Sequence, residues 1–309
     1  MKAKQTSFRG VIVPMITPLN KDLSLDIASA ERILDTFLEA RASAFLLGTT
    51  GESASLAGKQ KTLLVQAACG HLNRNIPIYA GISGNCLAES IEQAKLYADY
   101  GVDAVVAHLP FYYPLSADQM LQYFAQLADG IPCPLVLYNI PITTKQSIPV
   151  GVIDQLSRHP NIAGIKDSER GLERLDQSAE LWADRTDFVY LMGCAAQSAI
   201  ALQKGADGIV PSFGNVAPGL FKRLFEASLQ GDYKTSDKLQ AQADTISEIY
   251  QKDKNLSQSI SALKIMMSAL GLCQPYVMPP LECLDADEQK QIKEKTMAAK
   301  RMFPEFLSI

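Results

Sequence analysis

Histidine is scarce. The chain has three, His71, His108 and His159, far apart and in neither HxH nor HExxH spacing. A histidine-built metal site is therefore unsupported, and each is expected at the surface or at a helix end. The six cysteines, Cys69, Cys86, Cys133, Cys194, Cys273 and Cys283, form no CxxC pair. In a chain too large to need disulfide staples they read as reduced, structural thiols. No apolar run approaches the roughly 18 residues of a membrane span. The start MKAKQTSFRGVIVPMITPL is basic and then apolar, but it is short, holds two prolines and lacks a small-residue cleavage site, so it reads as a first strand. No long basic block occurs, and the net charge is −4, which removes the electrostatic footprint of a nucleic-acid binder. A GxGxxG turn and a P-loop are also missing. These absences leave a soluble, cytoplasmic protein whose partners are small molecules and protein subunits, without nucleic acid, membrane or metal.

What is present is globular: 309 residues, 47% hydrophobic and 20% charged, enough for a sizeable core. Eight strand-like runs occur in order, GVIVPMIT, SAFLLG, PIYAGI, AVVAHLP, PLVLYNI, IAGIKD, FVYLMG and GIVPS. Between them lie amphipathic segments such as DIASAERILDTFLEA, where Ile27, Ala30, Ile33, Leu34, Phe37 and Leu38 make one apolar face. YGVDAVV and KGADGIV re-use one helix-to-strand junction, a glycine followed by a turn-bonding Asp. Strands alternating with helices imply a parallel sheet, because each parallel neighbour needs a crossover. Eight such units predict an α/β fold, a (β/α)8 TIM barrel over residues 1–229, followed by a C-terminal helical appendage over 230–309. The appendage shows three helical patterns, near 232–250, 256–270 and 286–303.

Active sites of such barrels sit at the C-terminal ends of the strands, and the polar outliers fall there. Thr49 and Thr50 follow the second strand, Tyr112 and Tyr113 the fourth, and Tyr138 ends the fifth. Lys166 ends the sixth, Gly193 the seventh and Ser212 the eighth. Alternation along IAGIKD puts Ile162, Gly164 and Lys166 on one face and Ala163 and Ile165 on the other. If the first face points inward, Gly164 gives the lysine stem room, and Tyr138 shares its space. An apolar setting penalises an ammonium and favours the neutral amine, which attacks ketones. The alternative is a lysine paired with a buried carboxylate or reaching to solvent. GTTGES, 48–53, reads either as a capped turn or as a carboxylate cradle of backbone amides and hydroxyls. FYYP, 111–114, suits packing as well as chemistry. Together, an inward amine, an inward phenol and a carboxylate cradle describe chemistry on a 2-oxo acid.

On GTTGES, PFYYP, YNIP, GIKDS and GADGIVPS, in order and spacing, the chain resembles the dihydrodipicolinate synthase and N-acetylneuraminate lyase family of class I, Schiff-base-forming (β/α)8 enzymes. The resemblance implies that Lys166 forms an imine with pyruvate and that Tyr138 shuttles the proton, with Thr49 and Tyr112 extending the relay. It implies that Thr50, with amides around Gly48 and Gly51, holds the carboxylate, and that Thr143, Gly193, Val210 and Ser212 contact substrate. It also implies a homodimer or homotetramer in which Tyr112 lies near a subunit interface, and no cofactor beyond the covalent lysine imine.

Departures from the family bear on the substrate. Dihydrodipicolinate synthases carry an arginine five residues after the tyrosine, where this chain has Thr143, and a hydroxyl does not replace a bidentate guanidinium. Gly58 and Lys61 stand where the histidines of a lysine-feedback site would lie. Ala195 and Ala196 stand where N-acetylneuraminate lyases carry Asp and Glu. The expected activity is a metal-independent aldolase or lyase acting on pyruvate or a 2-oxo-3-deoxy sugar acid. The alternatives are dihydrodipicolinate synthase, acting on pyruvate and aspartate semialdehyde, N-acetylneuraminate lyase, a metal-dependent aldolase, and a non-catalytic barrel that binds a 2-oxo acid.

Overall fold

All eight apolar runs form strands, and each pairs in parallel with its sequence neighbour until the eighth meets the first. The strands are β1 (Gly10–Pro14), β2 (Ser43–Leu46), β3 (Ile78–Gly81), β4 (Ala104–His108), β5 (Leu135–Asn139), β6 (Ile162–Asp167), β7 (Val189–Met192) and β8 (Gly208–Ile209), and they close in the order β1 to β8. The computed structural model describes residues 8–307, so the basic residues at the very start lie outside the described residues. The last strand is shorter than GIVPS because Pro211 brings no N–H to the ladder. Val210 still donates its N–H to the Met192 carbonyl at 2.8 Å.

The crossovers and edges are helical: α1 (Ile27–Glu39), α2 (Gly58–Leu72), α3 (Leu87–Tyr100), α4 (Ala117–Gly130), α5 (Pro141–Thr144), α6 (Val150–Leu156), α7 (Leu172–Trp182), α8 (Ser198–Gln203) and α9 (Pro218–Leu229). Asp26 starts α1 by accepting from the Ser29 N–H, and the helix turns Ile33, Leu34 and Phe37 inward. Two apolar layers result, as alternation requires. Val11, Val13, Leu135, Leu137 and Ile165 face the helices. Ile12, Phe45, Tyr79, Val106, Val136 and Leu191 fill the barrel.

Strict alternation fails at one point in β6. Leu135 pairs with Ile162, but Val136 pairs with Gly164, so β6 carries one extra residue. This bulge re-aims the strand. Ile162 therefore joins Ile165 in the outer layer while Ala163 faces the interior, which corrects the single-face reading of Ile162, Gly164 and Lys166. Gly164 is small for a different reason from the one expected. A Cβ there would lie 2.5 Å from the Val189 carbonyl oxygen and strike the Val189 side chain, so the glycine permits the approach of β7 and not the lysine stem.

After α9 come α10 (Tyr233–Gln251), α11 (Leu256–Ala269) and α12 (Ala286–Met302), then a single turn, α13 (Pro304–Leu307), absent from the sequence expectation. Asn255 starts α11 with a reciprocal capping box to Gln258. Ile260 to Met267 are then buried without a break, so this stretch of α11 is enclosed on all sides. No helix among the described residues is long and apolar enough to cross a membrane.

Gly164→Ala is predicted to lower the unfolding free energy by about 1–3 kcal/mol, the cost of overpacking. Urea denaturation of the variant beside the parent chain measures it.

Candidate active site

Lys166, Tyr138 and His108 stand on one rung of the barrel. In the strand registers, His108 pairs with Tyr138 and Tyr138 with Lys166. Lys166 is 5% exposed, with its Nζ 3.8 Å from the centre of the Tyr138 ring and 4.9 Å from that of Phe45. No carboxylate pairs with it among the described residues. The neighbouring Asp167 points outward, bound to Arg174 Nε at 2.7 Å and Asn139 Nδ2 at 2.9 Å. The Tyr138 hydroxyl lies 3.3 Å from Thr49 Oγ1, and its ring meets Phe45 and His108 edge-on. Amine, phenol and hydroxyl thus meet at the C-terminal ends of the strands.

Thr49 opens the GTTGES turn. Gly48 and Gly51 are required there by close approach, since added Cβ atoms would lie 2.9 Å from Phe45 Cε1 and from the Met15 carbonyl oxygen. The turn uses some of its own donors. The Gly51 N–H binds the Gly48 carbonyl at 3.1 Å and the Glu52 N–H binds that of Thr49 at 3.1 Å. The Gly51 amide is therefore already committed, contrary to its expected place in the cradle. The Thr50 hydroxyl has no partner among the described residues.

The other expected residues divide. Thr143, on α5, donates its hydroxyl to the Ile140 carbonyl at 3.2 Å and lines a cavity of about 360 Å³ with Thr49, His108, Phe111 and, from α11, Leu256 and Ile260. Gly193 seats its N–H on the Asp167 carbonyl at 2.6 Å, and a Cβ would collide there, 2.9 Å from that oxygen. Val210 belongs to the barrel interior. Ser212 turns away from substrate space, its Oγ 2.9 Å from the Tyr250 hydroxyl of α10. Tyr112 is not brought to the rung within one chain. It is 73% exposed beside Tyr113 at 72%, with its amide held by Asn85 Oδ1 at 3.2 Å. His71 and His159 pair with Asp35 and Asp129 at the surface as expected, but His108 does not, because it ends β4 on the inner face. Among the described residues no three His, Cys, Asp or Glu side chains are grouped to hold a metal ion.

Known proteins resemble this chain in sequence and fold. A model described as the dihydrodipicolinate synthetase family matches residues 7–299. The chain belongs to the dihydrodipicolinate synthetase family. It is thereby a class I, Schiff-base-forming lyase of a small 2-oxo acid. A 4-hydroxy-tetrahydrodipicolinate synthase of Neisseria meningitidis is 29% identical over 296 residues, covering 94% of this chain and 98% of the relative. One from Methanosarcina barkeri is 32% identical over 236 residues, 75% of this chain and 79% of the relative. Among solved structures, dihydrodipicolinate synthase from Bacteroides thetaiotaomicron superposes with a TM-score of 0.89 at 30% identity, covering 94% of this chain and 98% of the other. A prophage protein of the same family from E. coli K12, in complex with pyruvate, gives a TM-score of 0.89 at 27% identity, covering 95% and 99%.

In this family member the mouth is braced by two polar assemblies. Glu52, in the left-handed conformation at φ 56°, sends its carboxylate to the C-terminal helices. It pairs with Lys264 of α11, both side chains being 0% exposed, and accepts the Met278 N–H at 2.6 Å. Lys264 Nζ also donates to the Tyr276 carbonyl at 2.7 Å. Burial pulls the Lys264 ammonium below its ordinary value, and Glu52 opposes that pull. The second assembly lies behind the rung. Asn139 joins Asp167 to Glu169, at 2.9 and 2.8 Å, and accepts the Ile148 N–H at 3.0 Å. Burial pushes the Asp167 carboxyl up, with Arg174 as the main opposing influence. Sequence reasoning missed Lys264, although the signal that singled out Lys166, a cation inside the apolar run ISALKIMMSAL, was present.

Lys264→Met leaves Glu52 buried without its cation and is predicted to cost about 3–5 kcal/mol of stability. Adding Glu52→Gln restores part of it, and denaturant unfolding of the single and double variants reads both effects.

Proposed function

We propose that Lys166 is the imine-forming amine and that the enzyme makes or breaks a C–C bond next to the former carbonyl of pyruvate. The observation that carries this reading is a buried lysine without a carboxylate partner, set against a tyrosine whose hydroxyl meets Thr49. The amine adds to the ketone and water leaves. The protonated imine then draws electrons from the adjacent carbon, giving an enamine that attacks an aldehyde, or the same sequence runs backwards. Tyr138 gives and takes the proton at the oxygen or nitrogen that changes, with Thr49 as its relay. Thr50 holds the oxo-acid carboxylate. The pyruvate complex of the E. coli family member supports the choice of 2-oxo acid.

Tyr112 completes the relay from a second copy of the chain. Its exposure with Tyr113, Phe111 and Ile142 supports a dimer or a tetramer of dimers joined across this face. We place the enzyme in the cytoplasm, a reading supported by six free cysteines. Residues 1–229 form the catalytic barrel and 230–309 the appendage, which supplies the α11 side of the cavity.

Two aldehyde partners have specific support. The names of the relatives favour aspartate semialdehyde, the dihydrodipicolinate synthase alternative, over a 2-oxo-3-deoxy sugar acid. Thr143 favours the sugar acid, because it supplies a hydroxyl where a carboxylate-binding cation is needed. Pyruvate consumption with aspartate semialdehyde, set beside pyruvate release from 2-oxo-3-deoxy acids and sialic acid, decides between them.

Incubation with pyruvate and borohydride is predicted to leave a reduced adduct on Lys166, mapped by mass spectrometry, and none in Lys166→Ala. Tyr138→Phe keeps the adduct but loses about 10²–10⁴-fold in kcat. A non-catalytic binder would take up pyruvate without turnover, and an unlabelled Lys166 in the parent chain refutes the imine.

A further inference from the structure

His108 ends β4 on the inner face, with the same parity as the inward Ala104 and Val106, and its ring lies 6.2 Å from that of Tyr138. Its Nδ1 is 2.7 Å from the Leu109 carbonyl oxygen. A carbonyl can only accept, so Nδ1 carries the proton, and in the neutral ring Nε2 is left with an open lone pair. Burial pulls this imidazole below its ordinary value and the Lys166 charge adds to the pull, while the bond to Leu109 opposes it. Nothing among the described residues bonds Nε2, and the ring forms part of the cavity wall beside Thr49 and Thr143. Thr143, in the same wall, spends its proton on Ile140, so its oxygen is left with acceptor capacity only. No lysine or arginine lines this cavity. Two neutral acceptors suit hydroxyl donors, and without a cation the wall offers a carboxylate no ion pair.

Resting on the reading of Lys166 as the imine-forming amine, the geometry points to His108 as a specificity-determining residue for the carbon chain beyond the oxo acid. Its Nε2 accepts a hydrogen bond from a hydroxyl on the aldehyde half of the substrate. A packing role alone would need no imidazole in the cavity wall with one nitrogen unbonded, and a surface histidine would not share a rung with Tyr138 and Lys166.

The test compares pyruvate condensation with glyceraldehyde and with propionaldehyde, which lacks the hydroxyls, in the parent enzyme, His108→Leu and His108→Gln. The glutamine offers an amide oxygen as a substitute acceptor. His108→Leu is expected to lose about ten-fold in kcat/KM for glyceraldehyde, the worth of one hydrogen bond, with little change for propionaldehyde. His108→Gln recovers part of the loss, and all three proteins give the same borohydride-trapped pyruvate adduct on Lys166. Equal losses for both aldehydes, an unchanged rate with glyceraldehyde, or no glyceraldehyde turnover by the parent enzyme overturns the proposal while the adduct stands. Loss of the adduct in the variants alone shows that His108 positions Lys166 and not substrate, which also overturns it. Absence of the adduct in the parent enzyme removes the imine reading and this inference with it.

Discussion

Closure of the barrel is the constraint from which the rest follows. Once eight parallel strands return on themselves, every inward side chain is enclosed, and all the strands end at the same mouth. The interior is filled with Ile12, Phe45, Tyr79, Val106, Val136 and Leu191, a packed core and not a channel. Polar groups at the ends of the strands therefore take one of two places, the inward-facing mouth or a hydrogen-bonded network among the helices. Lys166, Tyr138 and His108 take the first. Asp167 and Asn139, one residue on from Lys166 and Tyr138, take the second on the outer face.

That division lets bonds outside the barrel hold the side chains inside it. The outer network ties the ends of β5 and β6 together through Asn139 and Asp167. The inner side chains of the same strands then face each other at fixed separations. The GTTGES turn is held from another direction, by the Glu52 carboxylate reaching α11 and the Met278 amide. Thr17, fully buried, anchors the same turn through its hydroxyl on the Gly51 carbonyl at 2.6 Å. Groups at the mouth are thus positioned by hydrogen bonds and an ion pair made outside the barrel interior.

Much of this was legible in the sequence because it depends on local period and order. Strand and helix alternation gave the barrel, and the place of Lys166 at the end of IAGIKD gave the rung. What could not be read depends on contacts between distant residues. The bulge at Ala163 arises from pairing with β5, and the need for Gly164 arises from Val189 of β7. Ser212 bonds Tyr250, a helix residue whose approach has no local signal. His108 was misread although its signal was local: parity with Ala104 and Val106 puts it inside. Its distance from the other two histidines carries no information about the face of the strand it occupies.

The Glu52–Lys264 pair has a consequence for synthesis of the chain. Glu52 emerges from the ribosome long before Lys264, and the amide of Met278 that binds it is 226 residues away. Until α11 arrives, the Glu52 carboxylate of the turn that carries Thr49 and Thr50 lacks the cation that lets it be buried. The barrel strands are complete by Ile209, yet the mouth acquires its final geometry only when the last quarter of the chain has been made. The turn that carries Thr49 and Thr50 is thus fully braced only by residues made after the barrel strands, Lys264 and Met278.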